Sequence, residues 1–144
     1  MKLFKYITIL FFLINFNSIS IAKDPSALIN EIVDKAASIL SSEDPVESKI
    51  IKLNGIAESS VDINGIGLYT LGKYRKTIDD DEKSKYQKLF KSYFLKSFSS
   101  RLVDYTNPRI NVVSQKKINE KYTIVNSVLE ATSKRPQVKI EWRI

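Results

Sequence analysis

The chain has 144 residues, with 23 Lys and Arg against 16 Asp and Glu, and it contains neither Cys nor His. Those two absences remove disulfides, acylation at a lipoprotein cysteine, thiol nucleophiles, imidazole bases and most metal sites. The basic residues are scattered, with no Arg-rich run and no stacking motif, which argues against nucleic acid as a partner.

The chain opens MKLFKYITILFFLINFNSISIA. Lys2 and Lys5 form a short positive region, Ile7 to Ile14 is apolar apart from Thr8, and Ser20 and Ala22 are the small residues a signal peptidase reads. This predicts a secretory signal over residues 1–22, too short for a spanning helix, cleaved to leave Lys23 as the mature N-terminus of an exported protein. Residues 23–144 suffice for one domain. They keep 21 basic against 16 acidic side chains, a net charge of +5. After export that charge favours phospholipid head groups or acidic protein faces.

Ser26 can cap a first helix running to about Leu40, with Leu28, Ile29, Ile32, Val33, Ala36 and Ile39 or Leu40 on its buried face. Ser41 to Pro45 stops it, and Pro45 suits the first turn of a second helix. That helix carries Val46, Ile50, Ile51 and Leu53, with Gly55 ending or bending it. Three of the four glycines, Gly65, Gly67 and Gly72, then fall within eight residues, behind Asp62 as the cap of a helix running through Tyr74. Each helical glycine costs roughly 1 kcal/mol relative to Ala, so the cluster needs a reason. The spacing is not that of a phosphate-binding loop. Close approach is the better reason, of backbone to backbone or of backbone to a bound apolar group, with Ile66, Leu71 and Tyr74 lining it.

Asp79 to Tyr105 reads as one long helix around which the domain is organised. Asp79 or Asp80 caps it, and Asp81 and Glu82 put negative charge in its first turn. Apolar side chains recur at Tyr86, Leu89, Phe90, Tyr93, Phe94, Phe98, Leu102 and Tyr105. Lys85, Lys88, Ser92, Lys96 and Ser99 fall on the opposite side. Periodicity alone favours a plain core helix. The arc is wide, however, and predicts cover on two sides, by the sheet on one and by another helix or an apolar ligand on the other.

After Asn107-Pro108 the period changes to two. Arg109 to Ser114 is a short first strand, Tyr122 to Ala131 a second that is apolar on most of both faces, and Val138 to Ile144 a third with one wet face. Helices followed by an antiparallel meander make an α+β domain. The sequence stops in mid-strand at Ile144, from which the expectation is a domain truncated at its C-terminus. Catalytic material is sparse: the acid run Asp79 to Glu82 is better explained as capping than as a cation site.

The order of these features resembles the MlaC family of ABC-transporter auxiliary, or toluene-tolerance, proteins. The resemblance rests on the signal and early helix, on LGKY at Leu71 to Tyr74, and on F..YF....SRL..Y from Phe90 to Tyr105. It continues through IVNSVLEA, Arg135-Pro136, and VKIEWRI with Trp142-Arg143. It implies N-terminal helices packed on a C-terminal antiparallel or mixed sheet, enclosing an apolar cleft for lipid tails. It implies a periplasmic carrier that passes phospholipid between an outer-membrane lipoprotein–porin complex and an inner-membrane ABC complex with an MCE-domain ring. No catalysis and no cofactor are implied. The family continues past the Trp-Arg strand with further strands and a helix that this sequence lacks. The expected lipid wall is Ile66, Leu71, Tyr74, Phe94, Phe98, Val128 and Trp142. Two other readings stay open: a small exported enzyme using an acid such as Glu130 in the cavity, and a structural or adaptor domain with a filled core.

Overall fold

The computed structural model describes residues 23–105, 107–133 and 135–144. The expected signal at residues 1–22 lies outside the described residues. Four helices come first: α1 (Pro25–Ser41), α2 (Val46–Ser60), α3 (Ile63–Thr70) and α4 (Asp80–Leu102), with a 3-10 turn at Gly72–Lys76. Three strands follow, β1 (Ile110–Asn119), β2 (Tyr122–Leu129) and β3 (Val138–Arg143). They form one antiparallel meander in the order β1-β2-β3. The fold is α+β.

The central strand shows why the sheet has a dry side. Val125, Ser127 and Leu129 are buried, while their alternate neighbours are half-buried. The register sets Ile110 and Val138 beside Leu129, Val112 and Ile140 beside Ser127, and Trp142 beside Val125. Helix α1 lies over this face. Ile29, Val33 and Val125 make the fully buried core, with Ile32, Ile110, Val112 and Trp142 packed against it. The opposite face is mostly polar.

Helix α1 is capped two residues earlier than expected, by Asp24 rather than Ser26. The Asp24 carboxylate accepts the Ala27 N–H at 3.1 Å. The Ser26 hydroxyl instead donates to Gln115 Oε1 at 2.7 Å, and Gln115 Nε2 donates to Asp24 Oδ1 at 3.1 Å. The start of α1 is thus pinned to the middle of β1, and these bonds hold the Asp24 carboxyl below its ordinary pKa, that from Gln115 contributing most. Gly55 does not end α2, which runs on to Ser60 with Gly55 exposed. The third helix stops at Thr70 rather than Tyr74, because Gly72 takes a left-handed φ of +56° and the chain tightens into the 3-10 turn.

Helix α4 is capped by Asp79, whose carboxylate accepts the Glu82 N–H at 2.8 Å, with Asp80, Asp81 and Glu82 in its first turn. Two expectations for α4 are corrected. Ser99 is 2% exposed rather than on the wet side, its hydroxyl satisfied by the Leu95 carbonyl at 2.8 Å. The helix rests chiefly on α3 and α2 rather than on the sheet, which α1 already covers. A Lys91–Glu58 ion pair links α4 to α2. Past the end of α4, Tyr105 is buried beneath the Arg135 guanidinium, which also pairs with Asp104 and ties this end to the β2–β3 turn. The first strand extends to Asn119, well beyond the expected Ser114, because ladder bonds to β2 carry it past its covered part.

Candidate functional site

The four-residue spacing on α4 builds a ladder of rings. Tyr86 and Phe90 stand 6.0 Å apart between centroids, Phe90 and Phe94 6.2 Å, and Phe94 and Phe98 6.0 Å with planes only 8° apart. The ladder spans about 18 Å of helix axis. All four rings are half-buried, and Ser99 is the one fully buried residue of α4. Leu89 and Tyr93 flank the ladder at 71% and 69% exposure. The result is a continuous apolar strip, covered from one side and open on the other.

Helix α3 supplies the cover, and Gly67 lets it come close. A methyl group built at Gly67 would lie 2.9 Å from Phe90 Cδ1 and 3.2 Å from its Cγ, so the Phe90 ring lies directly on the α3 backbone. The bond of 2.6 Å between the Thr70 and Tyr86 hydroxyls fixes the same approach one turn away. Gly65 has a different reason, since its missing side chain leaves room for the capping Asp62 carboxylate, which accepts the Gly65 N–H at 2.9 Å.

Phe94 and Phe98 are in the ladder. Ile66 and Leu71 lie on the neighbouring α3 or at its end, Ile66 exposed and Leu71 half-buried. Tyr74 stands out from the 3-10 turn, 63% exposed, with Lys73 Nζ 5.6 Å from its ring centre. Trp142 belongs to the dry face of the sheet, its Nε1 donating to the buried Ser127 Oγ at 2.8 Å. Val128 lies on the other face, between Asn111 and Lys139 in the register. One wall therefore takes Trp142 or Val128, not both. Glu130, the expected acid of an enzymatic reading, shares the outer face with Val128 and accepts the Asn111 Nδ2 at 2.8 Å. Among the described residues no group of three or more His, Cys, Asp or Glu could hold a metal ion.

Two features were not among the expected site residues. Tyr86 and Phe90, read in the sequence as part of the apolar arc, continue the ring ladder of Phe94 and Phe98, and their four-residue spacing was the available signal. An open depression of about 520 Å³ also lies between α1 and α2, lined by Asp34, Lys35, Ser38, Ile39 and Ile56. The unresolved choice between Ile39 and Leu40 concealed it: Leu40 enters the core and Ile39 faces this depression.

The molecule is thus a small α+β domain with a closed core between α1 and the sheet, and an open apolar wall on its helical layer. It belongs to the MlaC protein family, whose model matches residues 30–144. No curated protein matches the chain. Among solved structures, it is similar to the phospholipid-binding protein from Ralstonia solanacearum, determined in complex with a phospholipid. The TM-score is 0.67 at 14% identity, over 84% of this chain and 70% of that one. At that identity the likeness establishes the shared fold.

Proposed function

We propose that this protein binds phospholipid through its acyl chains and carries it without chemical change. The observation that supports this most is the half-open ring ladder of α4, an apolar strip that α2 and α3 cover only in part. Each methylene of a lipid tail laid on it contributes up to about 0.8 kcal/mol, so two long tails are held without a covalent bond or a tight head-group site. Family membership and the phospholipid held by the Ralstonia solanacearum protein support the same reading.

The wall consists of Ile66, Leu71, Tyr74, Phe94 and Phe98, extended by Tyr86 and Phe90. Trp142, packed against the core beneath α1, and Val128, on the outer face of the sheet, both stand apart from it. The carrier works in the periplasm after removal of residues 1–22. It takes lipid from one membrane and yields it at the other, meeting an MCE-domain ring on an inner-membrane ABC transporter and a lipoprotein–porin complex in the outer membrane.

The test is lipid extraction from purified protein and from Leu71→Asp. Phospholipid should accompany the parent. The variant should lose it while keeping its helical circular dichroism, because a carboxylate on the wall must be desolvated for a tail to bind. A variant carrying as much lipid as the parent places the wall elsewhere. A parent that never carries lipid overturns the reading.

A further inference from the structure

We infer that the β1–β2 hairpin tip is a docking surface for anionic phospholipid bilayers, separate from the apolar wall of the helices. The hairpin runs past its helical cover. Gln115 bonds the first turn of α1 through Ser26 and Asp24, and every residue of β1 beyond it is exposed. From Gln115 to Asn119 the strand projects about 13 Å.

The turn at the tip is closed by a side chain. Asn119 Oδ1 accepts the N–H groups of Lys121 at 2.8 Å and Tyr122 at 3.2 Å, closing the turn with its own side chain. Its charge is mainly positive. Lys116, Lys117, Lys121 and Arg143 gather there against Glu120 alone, which Lys117 pairs at 2.9 Å. Arg143 lies opposite Ile124 from Lys116 in the ladder and stacks 3.9 Å from the Tyr122 ring centre. Lys116 and Lys121 make no ion pair among the described residues.

Amid these cations is Ile118. It sits at a break in the register between Lys117 and Asn119, 43% exposed and matched with no residue of β2. A bulge that turns an isoleucine into water among lysines does not suit a core, and its apolar side chain adds nothing to a phosphate-backbone contact with nucleic acid. It suits a bilayer surface, where the ammonium groups meet lipid phosphates and the apolar side chain enters the boundary below them.

Co-sedimentation with vesicles of phosphatidylglycerol and phosphatidylethanolamine tests this, with phosphatidylcholine vesicles as the neutral comparison. The protein should bind the anionic vesicles, and salt should release it. Lys116→Gln with Lys121→Gln should weaken binding about 25-fold, some fivefold for each cation removed. Ile118→Ser should weaken it further. Lys73→Gln with Lys76→Gln removes the same charge from the exposed 3-10 turn and should cost far less. Equal losses from the two pairs, equal binding to neutral vesicles, or no binding to anionic ones would overturn the inference. Lipid co-purifying with Lys116→Gln/Lys121→Gln should be unchanged, so failure of docking and failure of cargo binding are read separately.

Discussion

Gly67→Ala tests the α3–α4 contact on which the apolar wall depends. Two effects of opposite sign meet at this residue. Alanine in a helix interior gains up to about 1 kcal/mol over glycine through backbone entropy. The new methyl, however, would sit 2.9 Å from a ring atom of Phe90. The ring cannot simply turn aside, because it lies between Tyr86 and Phe94 with centroids near 6 Å on either hand. Relief requires α3 to move off α4 or the ladder to shift, and overpacking of this kind costs about 1–3 kcal/mol.

Gly55→Ala isolates the first effect. Gly55 is also inside a helix, but it is exposed and nothing lies within 4 Å of the added methyl. That variant should gain about 0.5–1 kcal/mol. The difference between the two variants cancels the helix preference and leaves the steric term, about 1–3 kcal/mol, or roughly 3–12 °C in Tm for a domain of this size. Urea and thermal unfolding of parent and both variants measure it. Equal stability of the two variants would refute the packing of Phe90 on the α3 backbone.

Other substitutions separate core from wall. Leu53 is fully buried on α2, and Leu53→Ala should cost about 2–5 kcal/mol. Phe94 is half-buried, so Phe94→Ala should cost less than Leu53→Ala in lipid-free protein and should reduce bound phospholipid; the reverse ranking in urea unfolding would place Phe94 in the core. Trp142→Phe removes the indole N–H from the buried Ser127 hydroxyl and should cost about 1–2 kcal/mol by the same assay. Two carboxyls titrate below their ordinary 3.8, Asp24 through its bonds to Gln115 and Ala27 and Asp44 chiefly through its bond to Lys52. A lowered folded pKa gives stability that is present above the unfolded value and lost as pH falls through the folded one. Acid unfolding followed by circular dichroism should therefore show a shallower dependence below about pH 4 in Asp24→Asn/Asp44→Asn than in the parent.

What could be read in the sequence follows what each residue pattern physically encodes. Caps are local, so Asp62 was legible, Asp79 was one of two candidates, and the α1 cap was misplaced, on Ser26 instead of Asp24; the change to period two after Pro108 was legible too. Periodicity fixed the ring ladder but not its cover, since a wide apolar arc says that burial is available and not which element provides it. Ser99 misled because a serine bonded to its own helix behaves in the core like a small apolar residue. The second half of β1 was invisible because Gln115 to Asn119 is wet on both sides, and only its partner strand makes it a strand. The glycine cluster announced a close approach, but its members have three separate reasons: a carboxylate cap, a ring against the backbone, and a left-handed turn.

The division of labour between the two halves of the fold follows from where burial is complete. Under α1, Ile29, Val33 and Val125 are nearly inaccessible, and the ladder bonds of three strands lock the register beneath them. Packing of that kind tolerates no guest, because a void large enough for a tail would cost the surrounding side chains their contacts. Helix α4 is the opposite case. Its 23 residues bury only Ser99 completely, and its rings are held by one another and by the α3 backbone at Gly67 rather than by a closed shell. An acyl chain laid along it removes exposed apolar surface without displacing any well-packed residue. On the proposed reading the glycine contact anchors the ladder from behind, so that a tail could enter and leave on the open side while the rings keep their places.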